Sequence, residues 1–447
     1  MNSSAISPVL AALLIVIGLW WPPEVYGDFK YPGYALMFVV LFWSVCRRPA
    51  LFEPASTGRV SASGAPSAGV SDAGRRYVFI GVSIFSIILL ASTALSADSY
   101  RSVETILGYA APAAMALGLA WIRDDRFVDQ AESILIGMAG LLSFYGIYQY
   151  LFSLPDLLVQ SGAWSGLDVG EVVPALTRMA GGRIFSRFAL PSSFACVLLA
   201  ALSLVHLRLL KSPRPHLYAA ILVAMTACMV LIRSYGAVIL FCGYWLIYVW
   251  IRHPRFRTAL ILIAVVLAGL VIPFLRNDSL LDFSGPANPV RLRLANWSVA
   301  WSEFRSAPIF GVGPGNYGLL FAAHSQGLTE TRYAHGFHMT MLAETGATGI
   351  LSWIGLVAIF ALWLNRSRPS SDTPALGAPE ALTRPRHAAG LVMLFLYSLI
   401  DIVFELPSLC FLFFFLVGLS LPPPRFSIPA ARPAWWITAF AGISFSL

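Results

Sequence analysis

The apolar runs constrain this chain more than any other feature. Stretches such as "FACVLLAALSLV" (194–205) and "LYAAILVAMTACMVLI" (217–232) recur along its length. Many reach the roughly 17–25 residues that a helix needs to cross the hydrocarbon of a bilayer. Lipid offers the backbone no hydrogen-bond partners, so a spanning segment is either a helix or a strand of a closed barrel. Alternating segments of about ten residues, the mark of a barrel, do not occur. The pattern predicts an all-α, polytopic membrane protein. Composition agrees: 58% of residues are hydrophobic and only 12% charged, whereas soluble domains are about one quarter charged.

Twelve spans are expected, at about 5–21, 32–46, 77–95, 104–122, 132–152, 188–206, 217–232, 236–251, 258–275, 347–364, 388–404 and 407–421. The first lacks a small-residue cleavage pattern and reads as a retained helix rather than a signal peptide. The whole of 1–447 reads as one integral membrane domain.

Orientation follows from the basic residues. With a cytoplasmic N-terminus, every inside connection carries arginine or lysine: Arg47, Arg48, Arg59, Arg75 and Arg76; Arg123 and Arg126; Arg208, Lys211 and Arg214; Arg252, Arg255 and Arg257; Arg366, Arg368, Arg384 and Arg386; Arg425 and Arg432. This bias places both termini in the cytoplasm. The net charge of +8 is thereby mostly topogenic, and no basic run of the nucleic-acid-binding type occurs. Cys46, Cys196, Cys228, Cys242 and Cys410 fall within or at the ends of spans and read as small apolar residues, not a disulfide framework. There is no C-x-x-C pair of the structural-zinc type.

Connections are mostly short, with two exceptions on the outer side, about 153–187 and about 276–346. The inside stretches "STGRVSASGAPSAGVSDAG" and "RPSSDTPALGAPEALTRP" have linker composition. The outer loops gather arginines, Trp164, Trp297, Trp301 and the histidines His324, His335 and His338. Charges at a membrane boundary are costly and tend to be functional, although a single arginine can also snorkel to the headgroups. Arg233 is the most suggestive. It lies on the outer side in a tight turn between two spans, where orientation requires no cation.

Three blocks carry further information. In "RIFSRFALPSSFA", Arg183, Phe188, Pro191 and Ala195 are spaced as R-x-x-G-x-F-x-x-P-x-x-x-A, with Ser186 at the glycine position and Arg187 as an extra cation. In "RLRLANWSVAWSEFRSAPIFGVGPGNYG", Arg293 and Trp297 are four apart, which places them on one side of a helix. Pro308 should stop that helix, and "GVGPGN" should turn tightly. Such glycines can admit a phosphate to backbone amides, although a plain turn explains them as well. In "RYAHGFHMTMLAETGATG", helical spacing would put His335 and His338 one turn apart on one face, with Gly346 and Gly349 following His335.

Together these blocks resemble the O-antigen ligase and O-antigen polymerase family of bacterial envelope glycosyltransferases. The resemblance covers about 183–349 by motif. It implies a fold of about twelve helices of the GT-C type, with a large periplasmic region before the tenth, in the inner membrane. The active site would face the periplasm. It also implies an undecaprenyl-diphosphate-linked polysaccharide as donor, and the family alignment points to His335 as the reactive histidine. Ligation to the lipid A–core acceptor is the leading expectation. Polymerisation on the carrier and protein O-glycosylation are alternatives within the class, and a lipid-linked saccharide flippase is the rival from another class.

The chemistry of these residue types is compatible with that expectation. A polyprenyl diphosphate lies with its tail in lipid and its charge at the interface, where Arg183, Arg187, Arg233, Arg291 and Arg293 could converge. Guanidinium forks match phosphate oxygens and would stabilise the departing diphosphate. No outward carboxylate cluster has metal-ligand spacing, so metal-independent transfer without a cofactor is expected. A sugar hydroxyl needs a base, and histidine titrates near working pH. A single displacement would invert the anomeric centre, and no two-carboxylate retaining arrangement is evident. His335 and His338 are thus catalytic candidates. Their bland reading is interfacial rings bonded to loop carbonyls. Glu344 is a weaker candidate, or simply a helix carboxylate bonded to a loop.

This topology is testable by labelling. Ser165→Cys and Ser325→Cys should react with a membrane-impermeant thiol reagent in intact spheroplasts. Reaction only after lysis would overturn the orientation and the placement of the chemistry with it.

Overall fold

The computed structural model describes residues 15, 19, 20, 34–37, 40, 72–122, 125–155, 182–253, 255, 289–324, 333–366 and 384–421. Expectations that fall elsewhere lie outside the described residues. These include the ninth span, most of the first two, and the loop positions Trp164 and Arg332. Among the described residues the fold is helical throughout. The helices are α1 (Asp72–Ala94), α2 (Ser99–Ile122), α3 (Asp125–Tyr148), α4 (Pro191–Lys211), α5 (Pro215–Ile232), α6 (Tyr235–Arg252), α7 (Pro289–Ser306), α8 (Tyr317–His324), α9 (Phe337–Arg366), α10 (Arg384–Ser398) and α11 (Pro407–Ser420). Six segments among the described residues are long and apolar enough to cross a membrane: Ser99–Ala120, Arg126–Ser153, Pro191–Lys211, Pro215–Ile232, Tyr235–Arg252 and Phe337–Ile359. The chain is a polytopic helical membrane protein.

The chain divides into two compact units. The first comprises Met1–Gly33, Arg123–Arg291 and Pro385–Leu421; the second comprises Tyr34–Ile122, Leu292–Arg384 and Pro422–Leu447.

In the first unit α4 is the central rod. Pro191 opens it at a position where a missing N–H costs nothing, and every residue from Pro191 to His206 is buried. A helix apolar on all sides can only be a core element; α3, α5, α6 and α11 pack around it. Helix α10 also meets it closely, for a Cβ added at Gly390 would lie 2.7 Å from the Ala200 carbonyl oxygen. Small residues allow such backbone approach where lipid provides no hydrophobic drive. At the far end of α3 the helix widens into a π-helical turn, Gln149–Ser153. Buried Gln149 uses Oε1 there to accept the N–H groups of Phe185 and Ser186, at 3.0 and 2.9 Å. The turn leading into α4 is thereby fixed.

In the second unit α1 lies along α9, with α2 beside α1 and α8 against α9. The sequence reading began this span at about 347 and assigned 337–346 to a loop. Instead α9 starts at Phe337 and is interrupted at Gly346, whose φ is 65° and ψ −165°. The interruption frees backbone groups that a low-dielectric interior cannot leave unpaired. The glycine loop after Pro308 fills it. Val312 N–H donates to Ala343 O and Gly313 N–H to Glu344 O, at 3.0 and 2.9 Å; Ala347 N–H donates to Pro308 O and Thr348 N–H to Ile309 O, at 2.9 and 3.2 Å. Backbone packs directly on backbone at this point. A Cβ on Gly311 would collide with the Glu344 carbonyl, and one on Gly346 with that of Ile309. From α1, Ser92 Oγ donates to Phe310 O and Glu344 O, at 2.7 and 2.9 Å; from α2, Ser102 Oγ donates to Pro314 O at 2.8 Å.

Gly346 and Gly355 therefore form a matched pair on one helix. Gly346→Ala forces a side chain into positive φ and into a carbonyl, so it should destabilise the solubilised protein by about 1–3 kcal/mol or more. At Gly355 an added Cβ meets nothing within 4 Å, and alanine there should be neutral or stabilising by about 0.5–1 kcal/mol. Thermal unfolding in detergent compares them; equal melting temperatures would contradict this account of the break.

Candidate active site

The sequence candidates fall into two groups, one in each unit. In the first unit, Arg183 and Arg233 lie at the end of α5. Helix α5 terminates at Ile232 because Arg233 turns into left-handed backbone, φ 52° and ψ 46°, before α6 begins at Tyr235. Arg183 donates from Nε to the Ile232 carbonyl at 3.0 Å. A cation is favoured there by the helix dipole and satisfies a terminal carbonyl. Ile184 N–H reaches Leu231 O at 3.4 Å. The Arg233 guanidinium extends back toward Gly182, where an added Cβ would lie 4.0 Å from its Nη2. Arg187 takes another direction. Its guanidinium lies over the rings of Trp20 and Tyr145, 5.4 and 5.9 Å from their centroids, and Nε donates to Trp20 O at 3.4 Å. Cation–π contact of this kind anchors an arginine. All three arginines are half-buried.

Ser186 occupies the glycine position of the first block, and its backbone explains that preference. Its φ is +53°, in the region glycine adopts without a steric cost. Two buried bonds hold the serine there, N–H to Gln149 Oε1 and Oγ to Leu142 O at 3.0 Å. Gln149, unremarked in the sequence, is the residue that shapes this arginine loop. A polar side chain seventeen residues past Glu132 inside an apolar run was its only signal.

Helix α7 runs from Pro289 to Ser306 and belongs to the second unit from Leu292 onward; Arg293 and Trp297 share one side of it as expected. Arg291, two residues earlier, points elsewhere on the helix and is exposed, whereas Arg293 is half-buried. The α7 face meets the start of α9. Trp297 donates its indole N–H to the His335 carbonyl at 3.4 Å, and its ring stands edge to face against the His338 imidazole, 5.3 Å between centroids. The two histidines do not sit one turn apart on a helix face. His335 precedes α9 in left-handed backbone, φ +54°, and only His338 lies within the helix. Both rings are half-buried. Val299, Ala300, Tyr317, Phe321, Ala334 and Ala343 form the core beneath them, with Met339 packed against it.

In the glycine loop the N–H groups of Gly311, Val312, Gly313 and Asn316 all bond to protein carbonyls, which is the pattern of a plain turn. Glu344 is likewise structural, accepting the Tyr317 N–H on Oε1 at 3.2 Å. Near it lies a residue that sequence reasoning passed over. Glu303 on α7 is fully buried and both carboxyl oxygens lack a hydrogen-bond partner. Burial, with Glu344 as a second cause, pushes its pKa up to about 9. The same burial, with Glu303 and Glu344 adding to it, raises the Tyr317 phenol. On an amphipathic helix a lone glutamate reads as solvent-facing; its position seven residues after buried Asn296, on the same side, was the one available hint. Among the described residues, no three His, Cys, Asp or Glu side chains are grouped to hold a metal. Cys196, Cys228, Cys242 and Cys410 are free thiols.

Comparison with known families bears on this geometry directly. Residues 220–354 match the O-antigen ligase family. The matched segment contains the second and third blocks, whose Trp297 and His335–His338 are in contact, together with Arg233. The first block, at Arg183–Ala195, lies before it. No curated protein matches the chain.

Glu303 has a measurable signature. The folded chain keeps its proton up to about 9, whereas an unfolded glutamate releases it near 4.3. Between those values the folded state binds more protons, so this contribution to stability is complete at low pH and is lost as pH rises through the folded pKa. The melting temperature of the wild type should fall between about pH 5.5 and 8.5 more steeply than that of Glu303→Gln. Parallel slopes would show that Glu303 is ionised in the fold.

Proposed function

We propose that this protein is an O-antigen ligase, moving O-antigen polysaccharide from undecaprenyl diphosphate to the lipid A–core oligosaccharide at the periplasmic face of the inner membrane. The observation that carries the proposal is the family match over 220–354, within which Trp297 of one block touches the histidine pair of the other.

In this reading the acceptor hydroxyl oxygen attacks the anomeric carbon, and the bond from that carbon to the phosphate oxygen breaks on the opposite side. Configuration inverts and undecaprenyl diphosphate departs. His335 takes the proton of the attacking hydroxyl, which raises the nucleophilicity of the oxygen as the new bond forms. Arg293, half-buried one helical turn before Trp297, supplies positive charge for the phosphates. Arg183, Arg187, Arg233 and Arg291 are the other candidates for that charge, each to be tested by itself. Guanidinium charge takes the part that a divalent ion often plays in diphosphate departure. The substrates are a lipid-linked polysaccharide and the lipid A–core acceptor, and membrane lipids surround the protein.

Reconstituted transfer tests this reading, using purified full-length protein, lipid-linked O-antigen and lipid A–core. Arg183→Ala and Arg293→Ala should each lose transfer, with lysine restoring only part because a point charge cannot reproduce the paired fork. His335→Ala should lower transfer by about two to four orders of magnitude while the carrier still binds. EDTA should change nothing. A product lengthened on the carrier instead of joined to lipid A–core would identify a polymerase, and full activity in all three alanine variants would overturn the site.

A further inference from the structure

The two rings of the histidine pair are not equivalent, and one atom separates them. His338 Nδ1 is buried and has no hydrogen-bond partner. Its aromatic neighbour cannot serve as one, because Trp297 presents its ring edge to face against the imidazole and directs its own N–H to the His335 carbonyl. A proton on Nδ1 would be a buried donor with no acceptor, and a doubly protonated ring would add a buried charge to that cost. The lower-energy form keeps Nδ1 bare and carries the single proton on Nε2, the ring nitrogen that is not sealed in this way. A general base must present a lone pair to its substrate. With its proton on Nε2, His338 would present an N–H instead.

We infer that His338 is a neutral hydrogen-bond donor, through Nε2–H, to an anionic oxygen of the lipid diphosphate. The inference rests on the reading of the chain as a lipid-diphosphate-dependent transferase and adds to it. The choice of ligand follows from position. Arg293 lies one helical turn before Trp297 on the same side of α7, and the Trp297 ring is the surface on which His338 is held. A cationic residue one turn along α7 and an N–H donor held on the Trp297 ring would together suit an acceptor-only anion. No proton is transferred at His338. Its N–H shortens the charge-assisted contact as negative charge builds on the leaving oxygen, while the proton of the acceptor hydroxyl goes to His335. Tautomer selection by a sealed nitrogen also accounts for two histidines at the mouth of one helix, one to accept and one to donate.

The test uses the geometry of amide substitutes. Glutamine at this position places an N–H near where Nε2 stood, asparagine near where Nδ1 stood, and neither titrates. Binding of undecaprenyl diphosphate, free of saccharide, to the detergent-solubilised full chain should weaken about 10- to 100-fold in His338→Ala and His338→Asn, the loss expected for one hydrogen bond to a charged group. His338→Gln should bind within about threefold of wild type and retain at least about one tenth of its transfer, with the acid limb of the pH–rate profile unmoved. Should His338→Gln be as inactive in transfer as His338→Ala, a titrating ring is required and the donor assignment is wrong. Unchanged binding in His338→Ala and His338→Asn overturns it equally. Failure of the underlying functional reading looks different: the wild type itself would then bind undecaprenyl diphosphate no better than undecaprenol, before any variant is compared.

Discussion

The second unit depends on an exchange of hydrogen bonds between two pieces of irregular backbone. A helix interrupted at Gly346 leaves carbonyls and N–H groups unpaired inside a protein surrounded by lipid, and such groups are expensive to bury. The loop Pro308–Asn316 supplies the missing partners on both sides of the break. It can do so only because Gly311 and Gly346 have no side chains at the point of contact. Two motif blocks some thirty residues apart are therefore one structural device. The loop follows α7 and the break follows the histidines, so docking one into the other brings the Trp297 side of α7 against His335 and His338. The glycines set this register.

A comparable economy operates in the first unit, by a different route. Here a widened turn at the end of α3 lets Gln149 point its carbonyl oxygen at two consecutive N–H groups, and Ser186 completes the turn in left-handed backbone. The arginines that result are ordered by protein contacts. Arg183 donates to the end of α5 and Arg187 lies against two rings. A guanidinium already restrained in this way loses less entropy when it pairs with a phosphate. A headgroup anchor needs only a free path to water, whereas Arg183 also directs its Nε at a helix-terminal carbonyl.

How much of this was legible beforehand depended on whether the signal was periodic or local. Apolar length located α4, α5, α6 and α11 to within a few residues, because each is apolar enough to be read as a block. The stretch 337–346 was misread as loop because His338, Thr340 and Glu344 lower its hydropathy, although His338 packs on Trp297 of α7, Thr340 bonds the Gly336 carbonyl and Glu344 accepts the Tyr317 N–H at the start of α8. The left-handed backbone of Ser186 and His335 had no sequence signature, since neither residue is glycine or asparagine. Ser186 could be suspected only from the family's glycine at that position. His335 was expected on the helix for the sound reason that three-residue spacing matches a turn, and the tight entry into α9 overrode it. Glu303 was hidden by the ambiguity of every amphipathic helix: a single carboxylate looks solvated until the neighbouring helix is known.

Glu303 also shows why a polar constellation can persist in such an interior. An ionised carboxylate with no partner would be untenable there, and two of them close together worse still. Holding Glu303 neutral removes that penalty while leaving Glu344 to accept the Tyr317 N–H and so fix the start of α8 beneath the histidines. The Tyr317 hydroxyl then donates to the Asn296 carbonyl at 3.1 Å, one residue before Trp297. A continuous set of contacts thus runs from Glu344 through Tyr317 to the segment of α7 that carries the indole. Each member is buried, so its hydrogen bonds are little screened by water and a displacement at one end is resisted at the other. A neutral Glu303 spares this set a second buried carboxylate charge beside Glu344.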